Sequence, residues 1–95
     1  MDNTNFNFGE DLKNRTKKFA VKIISFTKDL DKSTENYVFT KQIIRSASSV
    51  ASNYRAACRD RSKAEFYAKL SIVIEEADET LFWLEMIEEF NDKQK

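Results

Sequence analysis

Apolar positions in this chain recur at steps of three and four in three separate stretches. Leu12, Thr16, Phe19, Ala20, Ile23, Phe26 and Leu30 form the first stripe, which predicts a helix over residues 10–30. The segment Asp29 to Asn36 then breaks the period. Its short polar side chains compete with helical backbone bonds and offer a cap for the next helix. Thr40, Ile43, Ala47, Val50, Tyr54 and Ala57 mark that second helix, over residues 37–58. Its centre, Ser46 to Ser52, is unusually small. A serine-rich run in isolation suits a loop, but here the helical period continues through it and no Gly or Pro interrupts it. Arg59, Asp60 and Arg61 read as a turn, and Ser62 with Glu65 has the S-x-x-E spacing of a capping box. A third helix is predicted over residues 63–90. Phe66, Leu70, Val73, Ala77, Thr80, Leu84 and Ile87 alternate four and three apart, as on a coiled-coil seam. Tyr67, Ile74 and Leu81 widen that seam, while Ile72, Trp83, Met86 and Phe90 fall on another face. A helix that is apolar on more than one side needs more than one neighbour.

The pattern predicts an all-α fold: one domain, an antiparallel up-down bundle with three long helices and short connections. Small residues at the centre of the second helix let neighbours approach closely and supply the bulk; Phe19, Phe66, Leu70 and Trp83 are candidates. Residues 1–9 read as a polar, flexible lead-in, with Phe6 and Phe8 either docked on the bundle or frayed. The chain holds one Gly and no Pro, so almost nothing breaks its helices.

Charge changes the picture through its distribution. Residues 1–53 carry nine basic and six acidic side chains (+3), and residues 54–74 five and two (+3). Residues 75–92 carry eight acids and no base (−8). The whole is neutral, which argues against a dedicated polyanion binder but leaves room for a local basic patch. One cysteine, Cys58, allows no internal disulfide and points to a reducing, cytoplasmic setting. No secretory leader and no span of the ~20 apolar residues needed to cross a bilayer is visible. The chain has no histidine, which removes the usual neutral-pH base and the commonest metal ligand. No catalytic constellation, cofactor motif or metal site is legible.

Several segments, taken in order, resemble a known family: Gln42 to Arg45, Ser52-Asn53-Tyr54-Arg55, Arg61 to Phe66, Glu75 to Glu79, and Leu81 to Glu85. They are similar to the four-helix-bundle proteins of the 23S ribosomal RNA intervening-sequence family, related to the accessory variability proteins of diversity-generating retroelements. The resemblance covers about residues 10 to 90. It implies an antiparallel four-helix bundle without enzymatic activity, commonly a ring-like homopentamer. The retroelement relatives have a basic surface that binds nucleic acid. Here Ala56 and Ala57 stand where many members carry an acidic residue and a Gly, and the chain stops near where a fourth helix would begin. A three-helix remnant leaves an apolar groove for another element or subunit to cover.

Four groups of residues are candidates. Arg55, Arg59, Arg61 and Lys63 surround the predicted turn and either grip RNA or DNA phosphates or pair with acids of this chain or a neighbour. Glu75, Glu76, Asp78 and Glu79 repel one another at helical spacing. Carboxylate metal bundles of this type use Glu-x-x-His, so the expected offset is a buried or subunit-bridging network in which Arg45 pairs with Glu76 or Glu79, with Arg55 as the other candidate partner. Asn53 either fixes register across helices or sits partly exposed near a helix end. Trp83, Met86 and Phe90 offer an oligomer or partner surface, or a face that packs beneath a fourth helix. Cys58 reads as a small structural residue and Ser62 as a cap. The combined expectation is a non-catalytic homo-oligomeric scaffold or adaptor with weak nucleic-acid binding at the basic turn. The alternative is a purely protein-binding adaptor that accepts a partner helix in an apolar groove.

Overall fold

The computed structural model describes residues 8–93, which form three helices joined by two turns. Helix α1 spans Phe8–Thr27, α2 Thr34–Ala57 and α3 Lys63–Lys93. Phe6 and most of the expected lead-in lie outside the described residues, and Phe8, expected in that lead-in, instead opens α1. The start of α2 is set by Ser33, whose extended backbone and side-chain oxygen cap Asn36 N at 3.0 Å. Helix α1 ends three residues earlier than the apolar period suggests. Lys28, Asp29 and Leu30 donate to carbonyls only three residues back, so the chain tightens into a turn, and Leu30 packs on the core from there.

Both turns are short, so α2 runs antiparallel to each neighbour. Helices α1 and α3 pack on opposite sides of α2, and their backbones do not approach each other. The result is a thin layer measuring 55 × 27 × 15 Å. Packed helix axes lie about 8–10 Å apart, so three helices abreast account for the middle dimension.

The core follows the inner stripe of α2. Ile43 and Ala47 have no exposed surface, and Val50, Tyr54 and Ala57 are buried beside them. Ala20, Ile23 and Ile87 complete one cluster, while Val73 joins Val50 and Tyr54 in a second, flanked by Leu12, Phe19 and Leu70. Along the α3 seam Val73, Thr80 and Ile87 are buried, but Ala77 is exposed. The widening positions Tyr67, Ile74 and Leu81 are more than half exposed. They belong to a face that no other element of the layer covers.

Polar pairs fix the α2–α3 register. Ser46 and Thr80, both almost wholly buried, bond hydroxyl to hydroxyl at 2.9 Å. Nearer the far end, Asn36 and Asn91 exchange two side-chain hydrogen bonds of 3.0 Å. Asn36 also donates to Asp31 O at 2.8 Å, and Asn91 to Ile87 O at 2.7 Å. These amides therefore clamp the α1–α2 turn, α2 and α3 together. Asn53, the expected register residue, instead donates to Ser49 O and Oγ of its own helix, at 2.9 and 2.8 Å. It fixes nothing across helices, because a carbonyl and a hydroxyl one turn back already satisfy its amide.

Replacing Asn36 with leucine strips Asn91 of its cross-helix partner and is expected to cost about 1–3 kcal/mol. At about 4–8 °C per kcal/mol for a domain of this size, thermal melts followed by circular dichroism resolve the loss. The double change Asn36→Leu/Asn91→Leu should recover part of it, because two apolar groups leave no orphaned amide. Simple additivity of the two single losses would show that the amides do not act as a pair.

Candidate functional site

The turn between α2 and α3 is built by the ends of both helices. Cys58 caps α2, with its N–H bonded to Tyr54 O at 3.1 Å, and Arg59 and Asp60 donate to Ala56 and Ala57 carbonyls at 3.0 Å. Ser62 Oγ accepts from Glu65 N at 3.1 Å, which starts α3. The Glu65 carboxylate reaches back, but to Arg61 N at 3.3 Å rather than to the Ser62 amide. Asp60 turns inward, its side chain 10 % exposed, and holds Lys69 Nζ at 2.8 Å through Oδ1. The turn is thus anchored by its one acid, through Lys69 of α3.

Arg59, Arg61 and Lys63 are exposed and form no ion pair among the described residues. They line a recess of about 710 Å³ whose other walls include Lys13, Tyr54, Phe66 and Tyr67, with two acids, Glu10 and Asp60, that are paired to Lys13 and Lys69. Phe66 and Tyr67 meet edge to face at 5.6 Å. The Tyr54 phenol is pushed up to about 12 by burial, reinforced by the Cys58 side chain, so it stays protonated and acts only as packing and hydrogen-bonding surface. Arg55, grouped with the other three by sequence, stands apart. It lines a separate groove of about 450 Å³ between α1 and α2, with Lys13, Lys17, Ser48 and Ser52. Arg55 lies within α2 and Arg59 beyond its end at Ala57, so the two line different recesses. Among the described residues no group of His, Cys, Asp and Glu side chains could hold a metal ion. No described helix is long and apolar enough to cross a membrane.

The acidic run of α3 meets Arg45 on α2. Arg45 Nη1 donates to Glu76 Oε1 at 3.2 Å, Nη2 donates to Glu79 Oε2, and the Trp83 indole N–H donates to the same Glu79 oxygen at 3.1 Å. Of the two expected forms, buried or subunit-bridging, the network is not the buried one: the Arg45 side chain is 48 % exposed. Its guanidinium leaves the helix pair at the rim, where ion pairs are worth only about 0.2–1 kcal/mol. Trp83 and Phe90 lean on Phe39 of α2, with ring centres 6.1 and 5.7 Å apart, while Met86 is exposed. Much of the Trp83 and Phe90 surface therefore serves the α2–α3 contact. The groove on the opposite face was legible only as a consequence of a missing neighbour. Phe26 and Leu30 face Leu81, Leu84 and Ile87 across a recess of about 650 Å³.

Arg45 first, and the Trp83 indole second, hold the Glu79 carboxyl below its ordinary value of 4.5. A depressed carboxyl contributes stability that is fully present above the ordinary value and is lost as pH falls through the folded one. Wild-type protein should therefore lose more melting temperature than Glu79→Gln between about pH 6 and about pH 3, with the two curves converging at the acid end. Parallel curves across that range would remove Glu79 from the network.

Comparison with known proteins places these features in a wider set. Residues 10–94 match the model of a family described as 23S rRNA-intervening sequence protein. A solved structure from Bacteroides thetaiotaomicron VPI-5482, a protein of unknown function from the S23 ribosomal protein family, superposes with a TM-score of 0.78. It is 36% identical, over 86% of this chain and 73% of that one. No curated protein matches.

Proposed function

The chain belongs to the 23S rRNA-intervening sequence protein family, and from that premise we propose that it works without catalysis, as a self-associating helical scaffold that holds structured RNA or DNA at the α2–α3 turn. One observation carries the nucleic-acid part: Arg59, Arg61 and Lys63 converge on one recess with no acid of the described chain paired to them. Arginine offers paired donors to phosphate oxygens, and the amino end of the 31-residue α3 adds a favourable field. Phe66 and Tyr67 give an apolar wall on which a sugar or an unstacked base can rest. A layer only 15 Å thin, with Ile74, Leu81 and Phe82 about half exposed or more, supports self-association; a homopentamer is the assembly the resemblance implies. The single thiol of Cys58 suits a cytoplasmic setting.

A second reading is favoured by the groove between Phe26 and Leu81, which fits the apolar face of a helix from a protein partner. Binding there would be insensitive to salt and would depend on Leu81 and Leu84 rather than on Trp83.

Fluorescence anisotropy with a labelled RNA hairpin and a DNA duplex, across a salt series, tests the first reading. Affinity should fall linearly with the logarithm of salt, and Arg59→Glu/Arg61→Glu should weaken binding and flatten the slope by about 2 for two lost phosphate contacts. Absence of binding at low salt, or binding untouched by the double variant, would move the function to the groove.

A further inference from the structure

The two free edges of the layer carry opposite charge. On α1 the residues turned away from α2 include Arg15, Lys18 and Lys22, all exposed. They lie opposite the buried Ala20, Ile23 and Thr27. Lys18 and Lys22 make no ion pair among the described residues, and Arg15 keeps only a 3.7 Å contact with Asp11. On α3 the residues opposite Val73, Thr80 and Ile87 include Glu75, Asp78 and Phe82, also exposed. Neither Glu75 nor Asp78 has an ion pair among the described residues.

The edges also share one level. Ala20 and Ala47 belong to one core cluster, and Ser46, the neighbour of Ala47, bonds Thr80. Ala20 and Thr80 therefore stand at about the same height on two helices that run in the same direction. Counting back five residues from each gives Arg15 and Glu75; counting back two gives Lys18 and Asp78. Counting forward two gives Lys22 and Phe82, a residue 49 % exposed whose ring meets Trp83 at 4.9 Å. Three successive rungs of one edge are thus complementary to three rungs of the other. The last is a lysine stem and ammonium over an aromatic face. Helix α1 ends at Thr27, below the level of Glu89.

We infer that copies of this chain join edge to edge, α1 of one against α3 of the next, with Arg15 on Glu75, Lys18 on Asp78 and Lys22 over Phe82. This rests on the self-association proposed above and specifies its surface. The contact is heterologous: each copy offers one basic and one acidic edge, and rotation about an axis along the helices keeps the rungs level from copy to copy. A two-fold contact would instead set a patch against itself, bringing Glu75 and Asp78 against their own copies. Exposed charges of this kind steer and orient association and are screened by salt, so assembly weakens as ionic strength rises.

The test uses two full-length variants, Arg15→Glu/Lys18→Glu and Glu75→Lys/Asp78→Lys, with mass measured by light scattering after gel filtration at low salt. Far-UV circular dichroism checks that each stays helical. Each variant alone now presents two edges of one sign and should run as a monomer, whereas wild type assembles. Combining all four changes in one chain should restore assembly, because both edges then exchange sign and stay complementary in a ring of any number of copies. A monomeric wild type would overturn this contact together with the self-association reading. A wild type that assembles alongside variants that still assemble alone would overturn the edge contact and leave self-association standing. Variants that are monomeric and helical, with a combined four-change variant that is helical and still monomeric, would also overturn it.

Discussion

The centre of α2 must be buried on two sides while carrying almost no side-chain volume. Ser46 and Ala47 are fully covered, yet a hydroxymethyl and a methyl group cannot fill a core. Close-packed interiors tolerate few voids, so α1 and α3 come in to α2 and bring the bulk themselves, as Phe19, Ile23, Leu84 and Ile87. With α2 contacting both, α1 and α3 have no reason to meet, and the chain settles as a layer rather than a triangular bundle. That geometry leaves one apolar face open and exposes two long edges. It also puts the α2–α3 turn at one end, held by Asp60 and Lys69.

Small residues make good contact surfaces and poor register marks. Sliding α3 by one helical turn along a stripe of serine and alanine would change apolar packing only modestly. It would, however, leave the Ser46 and Thr80 hydroxyls only the Ile43 and Glu76 carbonyls of their own helices, and part the two amides of Asn36 and Asn91. Buried polar groups without partners cost far more than the net worth of the bonds they make. Few atoms thereby exclude many alternative registers, and they sit at the middle and one end of the contact, where a slip is felt most.

This division explains what was legible in the sequence. The inner stripe of α2 was readable from period alone, because apolar and small residues recur there without interruption. The pairing of Arg45 with Glu76 and Glu79 could be anticipated from the repulsion among neighbouring acids, though not its place at the exposed rim, which depends on how far the axes are rotated. Asn53 and Asn36 show the limit. Both lie on the side of α2 that faces α3 or near it, but Asn36 stands in what reads as a polar loop, and only the fold brings the end of α3 to it. The separation of Arg55 from Arg59 was hidden for a related reason: nearness along the chain groups residues around a turn, but the path of the chain beyond Ala57 decides which recess each one lines.

Net neutrality conceals how unbalanced the chain is locally. From Lys63 to Glu75 is twelve residues, about 18 Å at 1.5 Å per residue, well beyond a screening length of about 8–10 Å in physiological salt. The acids from Glu75 onward therefore cannot neutralise the turn that begins α3. Arg45 offsets Glu76 and Glu79 alone, and Glu75 and Asp78 have no such partner among the described residues. Within a single chain this layout only costs stability, since like charges at helical spacing repel. The two ends of α3 present fields of opposite sign, which the proposed turn and edge contacts would use.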